Sequence, residues 1–150
     1  MIIWGGFVWN QSHWTEDAPF RVERSSSGYA YDVVADAWSK LPPAPLYGHE
    51  PPRAVWTGKR MYVWGPYSSS EPAEAASYTP ETRSWYKLPP PPSRMLAGAE
   101  MVWSNPPGQP GRLLLWGASS CSTVHGTGMR YRPSTHTWSW MRKSPLQTRQ

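Results

Sequence analysis

Few side chains in this sequence are suited to metal or cofactor chemistry. Cys121 is the single cysteine, so it forms no disulfide within the chain and completes no cysteine-based zinc site. Cys121 and His125 stand four positions apart, a spacing that can begin a metal site, but two ligands are too few to complete one. The other histidines are dispersed, at His13, His49 and His136. The sequence therefore predicts no bound metal and no cofactor.

The acidic residues provide no evident acid/base pair. Asp32 and Asp36 stand at the two ends of a short polar stretch that is typical of a turn, where aspartate commonly accepts hydrogen bonds from its own backbone. No two carboxylates are placed by their spacing alone to act as a general acid and a general base. We therefore expect no catalytic residues, and a chain that is not an enzyme by itself.

One long segment has the composition of a binding surface. Residues 7–28 combine tryptophan with charged side chains, and tryptophan and arginine contribute most of the energy of many interfaces. Tryptophan rings also stack on the faces of sugars. We expect this segment and a later loop to contact a protein or a carbohydrate; the alternative is that its tryptophans only cover the end of a sheet. The predicted contact residues are Trp9, His13, Trp14, Arg21, Arg24 and Tyr67.

The segments that position these residues repeat along the chain. Three short apolar runs end in Trp-Gly, with the glycines at Gly5, Gly65 and Gly117. Continuous apolar runs of this length, followed by glycine, are typical of strands that are buried on both faces. Proline-rich connectors at 41–46 and 88–92 precede further strand candidates. We therefore predict three similar β units in succession.

Each unit also contains a tyrosine seven residues before a tryptophan. The pairs are Tyr31 with Trp38, Tyr78 with Trp85, and Tyr131 with Trp138. If the four residues before each final strand form a hairpin loop, the two rings of a pair face each other across neighbouring strands. Such pairs stabilise a sheet by roughly 0.2–1 kcal/mol each. We expect the three tryptophans to be packing residues.

A four-stranded unit of about 50 residues with these features resembles the kelch repeat, one blade of a β-propeller. The likeness rests on the doublet Gly5-Gly6, on the later Trp-Gly pairs, and on the tyrosine–tryptophan pairs, and it is nearest to bacterial kelch proteins of the galactose oxidase-like group. Pro66 and Ala118 depart from the pattern by replacing the second glycine. The resemblance implies an all-β fold: a kelch-type propeller segment of about three four-stranded antiparallel blades.

The implied blades occupy residues 1–42 (partial), 43–90 and 91–143, and 144–150 begin a further connector. Propellers close with about 4–8 blades, so this propeller is incomplete and two apolar blade faces are left bare. Either the reading frame continues, or copies assemble, or the chain is a remnant; we expect a truncated frame. In each case, the remaining blades or self-association are expected to complete the structure.

Recognition in a propeller falls to the loops, here 7–28, 67–76 and 119–127. We therefore expect a non-catalytic module that binds a protein or a carbohydrate through loops on one face. The alternative is a fragment of a kelch-propeller enzyme, similar either to galactose oxidase or to the sialic-acid mutarotases. The copper site of the oxidase uses two tyrosines, two histidines and a cysteine joined to one tyrosine, and no tyrosine here is followed by histidine.

The charge pattern adds little to this expectation. The formal net charge is +5, and residues 101–150 contain six basic residues and no acidic one. We interpret this end as a solvated rim, because the sequence has no Lys/Arg run and no RNA-type aromatic motif. No apolar stretch approaches the roughly 18–20 residues of a membrane span, and the first residues lack the features of a signal peptide. We therefore expect neither nucleic acid nor membrane as a partner, and the cell compartment stays open.

Overall fold

The computed structural model describes residues 1–10, 21–46, 52–65, 74–92, 99–120 and 123–145, which form strands, turns and connectors. No helix in this part of the chain is long and apolar enough to cross a membrane. The strands form three antiparallel sheets and a separate hairpin. Sheet 1 contains β1 (Ile2–Trp4), β4 (Gly28–Asp32) and β5 (Ala37–Lys40). The hairpin consists of β2 (Phe7–Asn10) and β3 (Arg21–Arg24).

Sheets 2 and 3 have four strands each, in the order of the sequence. Sheet 2 contains β6 (Arg53–Trp56), β7 (Met61–Gly65), β8 (Glu74–Thr79) and β9 (Ser84–Lys87). Sheet 3 contains β10 (Glu100–Ser104), β11 (Arg112–Ser120), β12 (Thr123–Arg132) and β13 (Thr137–Trp140). An all-β chain of three sheets with three, four and four strands is therefore confirmed for the described residues.

The last hairpin of each sheet has the predicted register. Tyr31 pairs with Trp38, Tyr78 with Trp85, and Tyr131 with Trp138. Their ring centroids lie 4.9, 5.0 and 4.9 Å apart at nearly the same tilt. The loop between the strands has four residues, and its last residue has a positive φ in every sheet, at Asp36, Arg83 and His136. The spacing of seven thus follows from one loop geometry.

A small residue lies opposite the tryptophan of each Trp-Gly motif. The partners of Trp4, Trp64 and Trp116 are Gly28, Ala75 and Gly128. A Cβ at Gly128 would lie 2.5 Å from both a backbone oxygen and the Trp116 ring, so the indole fills the space that a side chain would need. The carbonyl of the small residue accepts a hydrogen bond from the residue that follows the last strand: Leu41, Leu88 or Met141.

Neighbouring sheets are joined by the tryptophan of the last strand. The indole Nε1–H of Trp85 donates to the carbonyl of Pro42, 3.0 Å away, in the connector after sheet 1. Trp138 makes the same bond to Pro89 at 2.8 Å. Each ring also packs on the Trp-Gly tryptophan of the preceding sheet, Trp4 at 6.0 Å or Trp64 at 5.8 Å between centroids. One set of contacts therefore stacks sheet 2 on sheet 1 and sheet 3 on sheet 2.

Two apolar cores fill the spaces between the sheets. The first joins sheets 1 and 2 and contains Leu41, Leu46, Met61, Val63, Ala76 and Tyr78. The second joins sheets 2 and 3 and contains Tyr62, Trp64, Ala75, Leu88, Ala99, Met101, Leu113, Leu115, Met129 and Tyr131. All five residues of β7 are buried, as its continuous apolar sequence predicts for a strand covered on both faces.

Trp38 departs from the prediction that all three paired tryptophans are buried packing residues. It contacts Tyr31 in its own sheet, but 51% of its surface is exposed. Trp85 and Trp138, at the same position in the next two sheets, are half-buried. The difference arises because Trp85 and Trp138 each pack on a preceding sheet, and the described residues place no sheet before sheet 1.

The Trp-Gly glycine has a positive φ in sheets 1 and 3, whereas Gly65 in sheet 2 does not and continues the ladder opposite Glu74. In β11 the register shifts between Trp116 and Ala118, and Gly117 has a φ of 77°. Gly5 and Gly6 also have positive φ values, 78° and 98°, at the point where β1 ends. A glycine in the left-handed region is the usual first residue of one class of β-bulge. Ala118 returns to the ladder opposite His125, so sheet 3 needs only one such glycine.

We predict that Trp85→Ala lowers the free energy of unfolding by about 3 kcal/mol, as expected for truncation of a large packed aromatic. The substitution removes the inter-sheet hydrogen bond and two ring contacts. Trp140→Ala is the matched control because Trp140 is 47% exposed, and a surface substitution changes stability by about 0.5 kcal/mol or less. Urea melts measure both, and equal losses would contradict the packing role of Trp85.

We predict that Gly117→Ala costs about 1–2 kcal/mol, since a Cβ disfavours the left-handed region. A Cβ there would meet no atom within 4 Å, so the cost comes from the backbone alone. Gly117→Asn should cost less, because asparagine adopts this conformation more readily. Thermal melts that rank Asn as equal to or worse than Ala would show that the bulge is not what restricts this position.

Candidate interaction surface

Two hairpins extend past the Trp-Gly motifs, one after sheet 1 and one at the end of sheet 3. In the first, β2 pairs with β3 from Phe7 opposite Arg24 to Asn10 opposite Arg21. In the second, β11 and β12 continue beyond Gly117 until Ser120 faces Thr123. Both hairpins leave their sheets at the end where the Trp-Gly strand finishes.

This arrangement corrects the expectation that 7–28 and 119–127 are loops. The first segment contains two strands, and most of the second belongs to β11 and β12. The third predicted loop, 67–76, is shortened because β8 begins at Glu74. The strands extend because the left-handed glycines let the ladder continue past the motif: Gly5 N–H donates to the carbonyl of Ser27, and Ser25 N–H donates to that of Gly6.

The first hairpin brings part of the predicted contact set together. Trp9 pairs with Val22 within the hairpin, and Arg21 and Arg24 are the first and last residues of β3. Phe7 and Val8, at the base of β2, are 41% and 50% exposed. His13, Trp14 and Tyr67 lie outside the described residues. The backbone thus holds Trp9, Arg21 and Arg24 on one projecting ribbon.

The Cys121–His125 pair can be followed only in part. His125 lies in β12 opposite Ala118, and Cys121 falls outside the described residues. Within the ranges that the structure describes, no three His, Cys, Asp or Glu side chains come close enough together to hold a metal ion. Asp32 accepts hydrogen bonds from the backbone N–H groups of Val34 and Ala35, at 2.9 and 3.2 Å, so the prediction of a turn role is confirmed for this residue.

A cleft lies between β1 of sheet 1 and the first two strands of sheet 2, β6 and β7. Its volume is about 570 Å³, and its lining is apolar: Met1, Ile2, Ala54, Val55, Trp56 and Met61. In sheet 3 the counterpart of Trp56 is Trp103, which stacks on Tyr62 with centroids 5.9 Å apart. Trp56 instead is 51% exposed. The counterpart of Tyr62 in sheet 1 is Ile2, which has no ring on which Trp56 could stack.

An ion pair joins the first strands of sheets 2 and 3. Arg53 in β6 and Glu100 in β10 occupy equivalent positions, and Arg53 Nη2 lies 2.8 Å from Glu100 Oε1. Both side chains are more than a third exposed, so the pair is worth about 1 kcal/mol at most.

Two of the repeated tyrosines, Tyr31 and Tyr131, form hydrogen bonds with the last residue of their hairpin loops. Burial raises the pKa of Tyr131, and its hydroxyl lies 3.0 Å from His136 Nδ1 in the hairpin loop. Tyr31 donates a hydrogen bond to the carboxylate of Asp36, which raises the pKa of this exposed phenol. Burial also raises the pKa of Tyr62. These phenols remain protonated near neutral pH, so they are donors and not anionic ligands or bases.

Comparison with known proteins supports the fold. No protein-family model matches the chain, and no curated protein matches it. Solved structures do match it, among them the structure of YjhT, with a TM-score of 0.61 and 20% sequence identity. The match covers 82% of this chain and 47% of that one, so this chain spans about half the length of YjhT. At this level of identity the similarity concerns the fold alone.

Proposed function

We propose that the chain is a segment of a kelch-type β-propeller in which sheets 1, 2 and 3 are successive blades. Three features of the described residues support this reading. Each sheet ends in the same tyrosine–tryptophan hairpin. The same indole-to-proline bond joins sheet 2 to sheet 1 and sheet 3 to sheet 2. Each sheet also has a small residue opposite the Trp-Gly tryptophan.

We further propose that this segment is a binding module without catalytic activity, whose partner is a protein or a carbohydrate. The observation that carries the proposal is the pair of hairpins that extend sheets 1 and 3 at the same end. The body of each sheet packs on its neighbours, so the hairpins, which lie beyond the packed sheets, are free for recognition. The first hairpin holds Trp9, Arg21 and Arg24, which are side chains typical of binding hot spots.

A glycan array that includes terminal galactose and sialic acid, probed with the purified chain, tests the carbohydrate form of this proposal. We expect Trp9→Ala to weaken binding about tenfold or more, because an aromatic hot spot contributes at least about 1.4 kcal/mol. Trp140→Ala is the control, since Trp140 is 47% exposed and belongs to β13, outside both hairpins.

Equal binding by the wild type and Trp9→Ala would contradict a recognition role for the first hairpin. Conversion of a bound sugar, detected by NMR of the reaction mixture, would contradict the non-catalytic reading and favour the enzyme alternative. A titration with an immobilised protein partner can be analysed with the same pair of variants.

A further inference from the structure

The outer face of sheet 1 is exposed at positions that are buried in the other two sheets. Ile3 is 48% exposed, whereas its counterparts Val63 and Leu115 are 1% and 0% exposed. Met1, Tyr29 and Trp38 lie on the same face, because Ile3 pairs with Tyr29 and strand residues alternate between faces. All are exposed hydrophobic residues. Sheet 1 thus presents the surface that sheets 2 and 3 each bury against a preceding sheet.

The outer face of sheet 3 presents the opposite half of the same contact. Val102 is 54% exposed, and its counterpart Val55 packs against the core between sheets 2 and 3. Trp116 occupies the position of Trp4 and Trp64, the two rings that receive the next sheet's tryptophan. Arg142 follows Trp138 by four residues, as Pro42 follows Trp38 and Pro89 follows Trp85. Its carbonyl is therefore the counterpart of the two proline acceptors.

The hairpin loops of sheets 2 and 3 also contribute to the contacts between sheets. The last residue of each hairpin loop reaches the preceding sheet: Arg83 Nη2 donates to the Lys40 carbonyl at 2.9 Å, and the His136 ring packs on Tyr86 at 4.9 Å. The residue at this position in sheet 1 is Asp36. Lys40 corresponds to Trp140 in sheet 3, so a copy of sheet 1 placed on sheet 3 in the same way would bring Asp36 toward the end of β13.

We propose that two copies of this chain dock head to tail, with sheet 1 of one copy on sheet 3 of the other. Trp38 of one copy packs on Trp116 of its partner and donates its indole N–H to the carbonyl at Arg142. The contact repeats the one that joins sheet 2 to sheet 1 and sheet 3 to sheet 2. A second copy is favoured over another occupant because the two exposed faces of this one chain already match each other, each presenting one half of the contact that joins its own sheets.

The expected number of copies, two, follows from the closure of a ring of sheets, and it rests on the propeller arrangement proposed above. Head-to-tail contacts give a closed ring or an open filament. The chain corresponds to 47% of the length of YjhT in the structural match, so two copies supply about one body of that size. Six sheets also fall within the range of about 4–8 blades in which propellers close.

Sedimentation velocity and light scattering of the purified chain at micromolar concentrations test this proposal. We expect a single species of twice the 17.0 kDa mass of the chain. A folded monomer would overturn the proposal, and so would species that keep growing with concentration, because an open filament does not close. Because this experiment measures mass, the chain can be found not to dimerise while the first hairpin still binds its partner. Equally, the hairpin can be found not to bind while the chain still dimerises.

Three glutamate variants test which faces are used. Ile3→Glu and Val102→Glu each place a carboxylate in the contact, and each should raise the dissociation constant about a hundredfold or more, since a buried unpaired charge is costly. Val34→Glu is the control: Val34 is 98% exposed in its hairpin loop, and the equivalent residues Glu81 and Ser134 stay exposed where sheets pack. Circular dichroism melts confirm that each variant is folded.

The orientation has its own test. If sheet 1 packs on sheet 1 of the partner, Val102→Glu remains a dimer, and that result would overturn the head-to-tail contact. In the head-to-tail arrangement neither variant dimerises alone, but an equimolar mixture of Ile3→Glu and Val102→Glu retains one unmodified contact and forms a heterodimer. Dissociation of Val34→Glu to the same degree as the other variants would also count against the proposal.

Discussion

The tryptophan of each last strand makes contacts inside its own sheet and to the sheet before it. Within the sheet its ring packs on the paired tyrosine, at 4.9–5.0 Å between centroids. Toward the preceding sheet, the indole N–H of Trp85 or Trp138 reaches a proline carbonyl. A half-buried indole needs an acceptor, and proline supplies one at a point where the backbone has no N–H of its own to satisfy. The order of the sheets depends on this contact.

The same contact supports our proposal that the hairpins, and not the bodies of the sheets, are used for recognition. Residues that alternate along β7 are buried against sheet 1 on one face and sheet 3 on the other, so the middle of a sheet has no free surface to vary. At the Trp-Gly motifs of sheets 1 and 3, glycines with positive φ mark the point where β1 ends and where the register of β11 shifts. A substitution in the hairpins should therefore change the surface without changing how the sheets pack on one another. Such independence of surface and packing is suited to the binding module that we propose.

Much of the repeat could be predicted from the sequence, because it depends on local geometry. A four-residue loop fixes the register of Tyr78 and Trp85, so a spacing of seven predicts the pairing. The exposure of Trp38 could not be predicted in this way, since burial at that position depends on a neighbouring sheet and not on the residue. The hairpin β2–β3 was missed because its sequence lacks the regular apolar alternation of a half-buried strand. The sequence does contain a glycine three residues before Tyr31 and Tyr131, at Gly28 and Gly128. Its role can be understood only from the structure, in which an indole ring lies opposite each of these glycines.

Hydrogen exchange of the tryptophan indole N–H groups, followed by NMR, tests the central contact most directly. The account predicts slow exchange for Trp85 and Trp138, whose N–H groups are bonded to Pro42 and Pro89, and fast exchange for the half-exposed Trp140. Slow exchange at Trp85 and Trp138 would show that the hydrogen bonds between neighbouring sheets are also formed in solution. Exchange of all three at the same rate would contradict the claim that these indoles hold the sheets together.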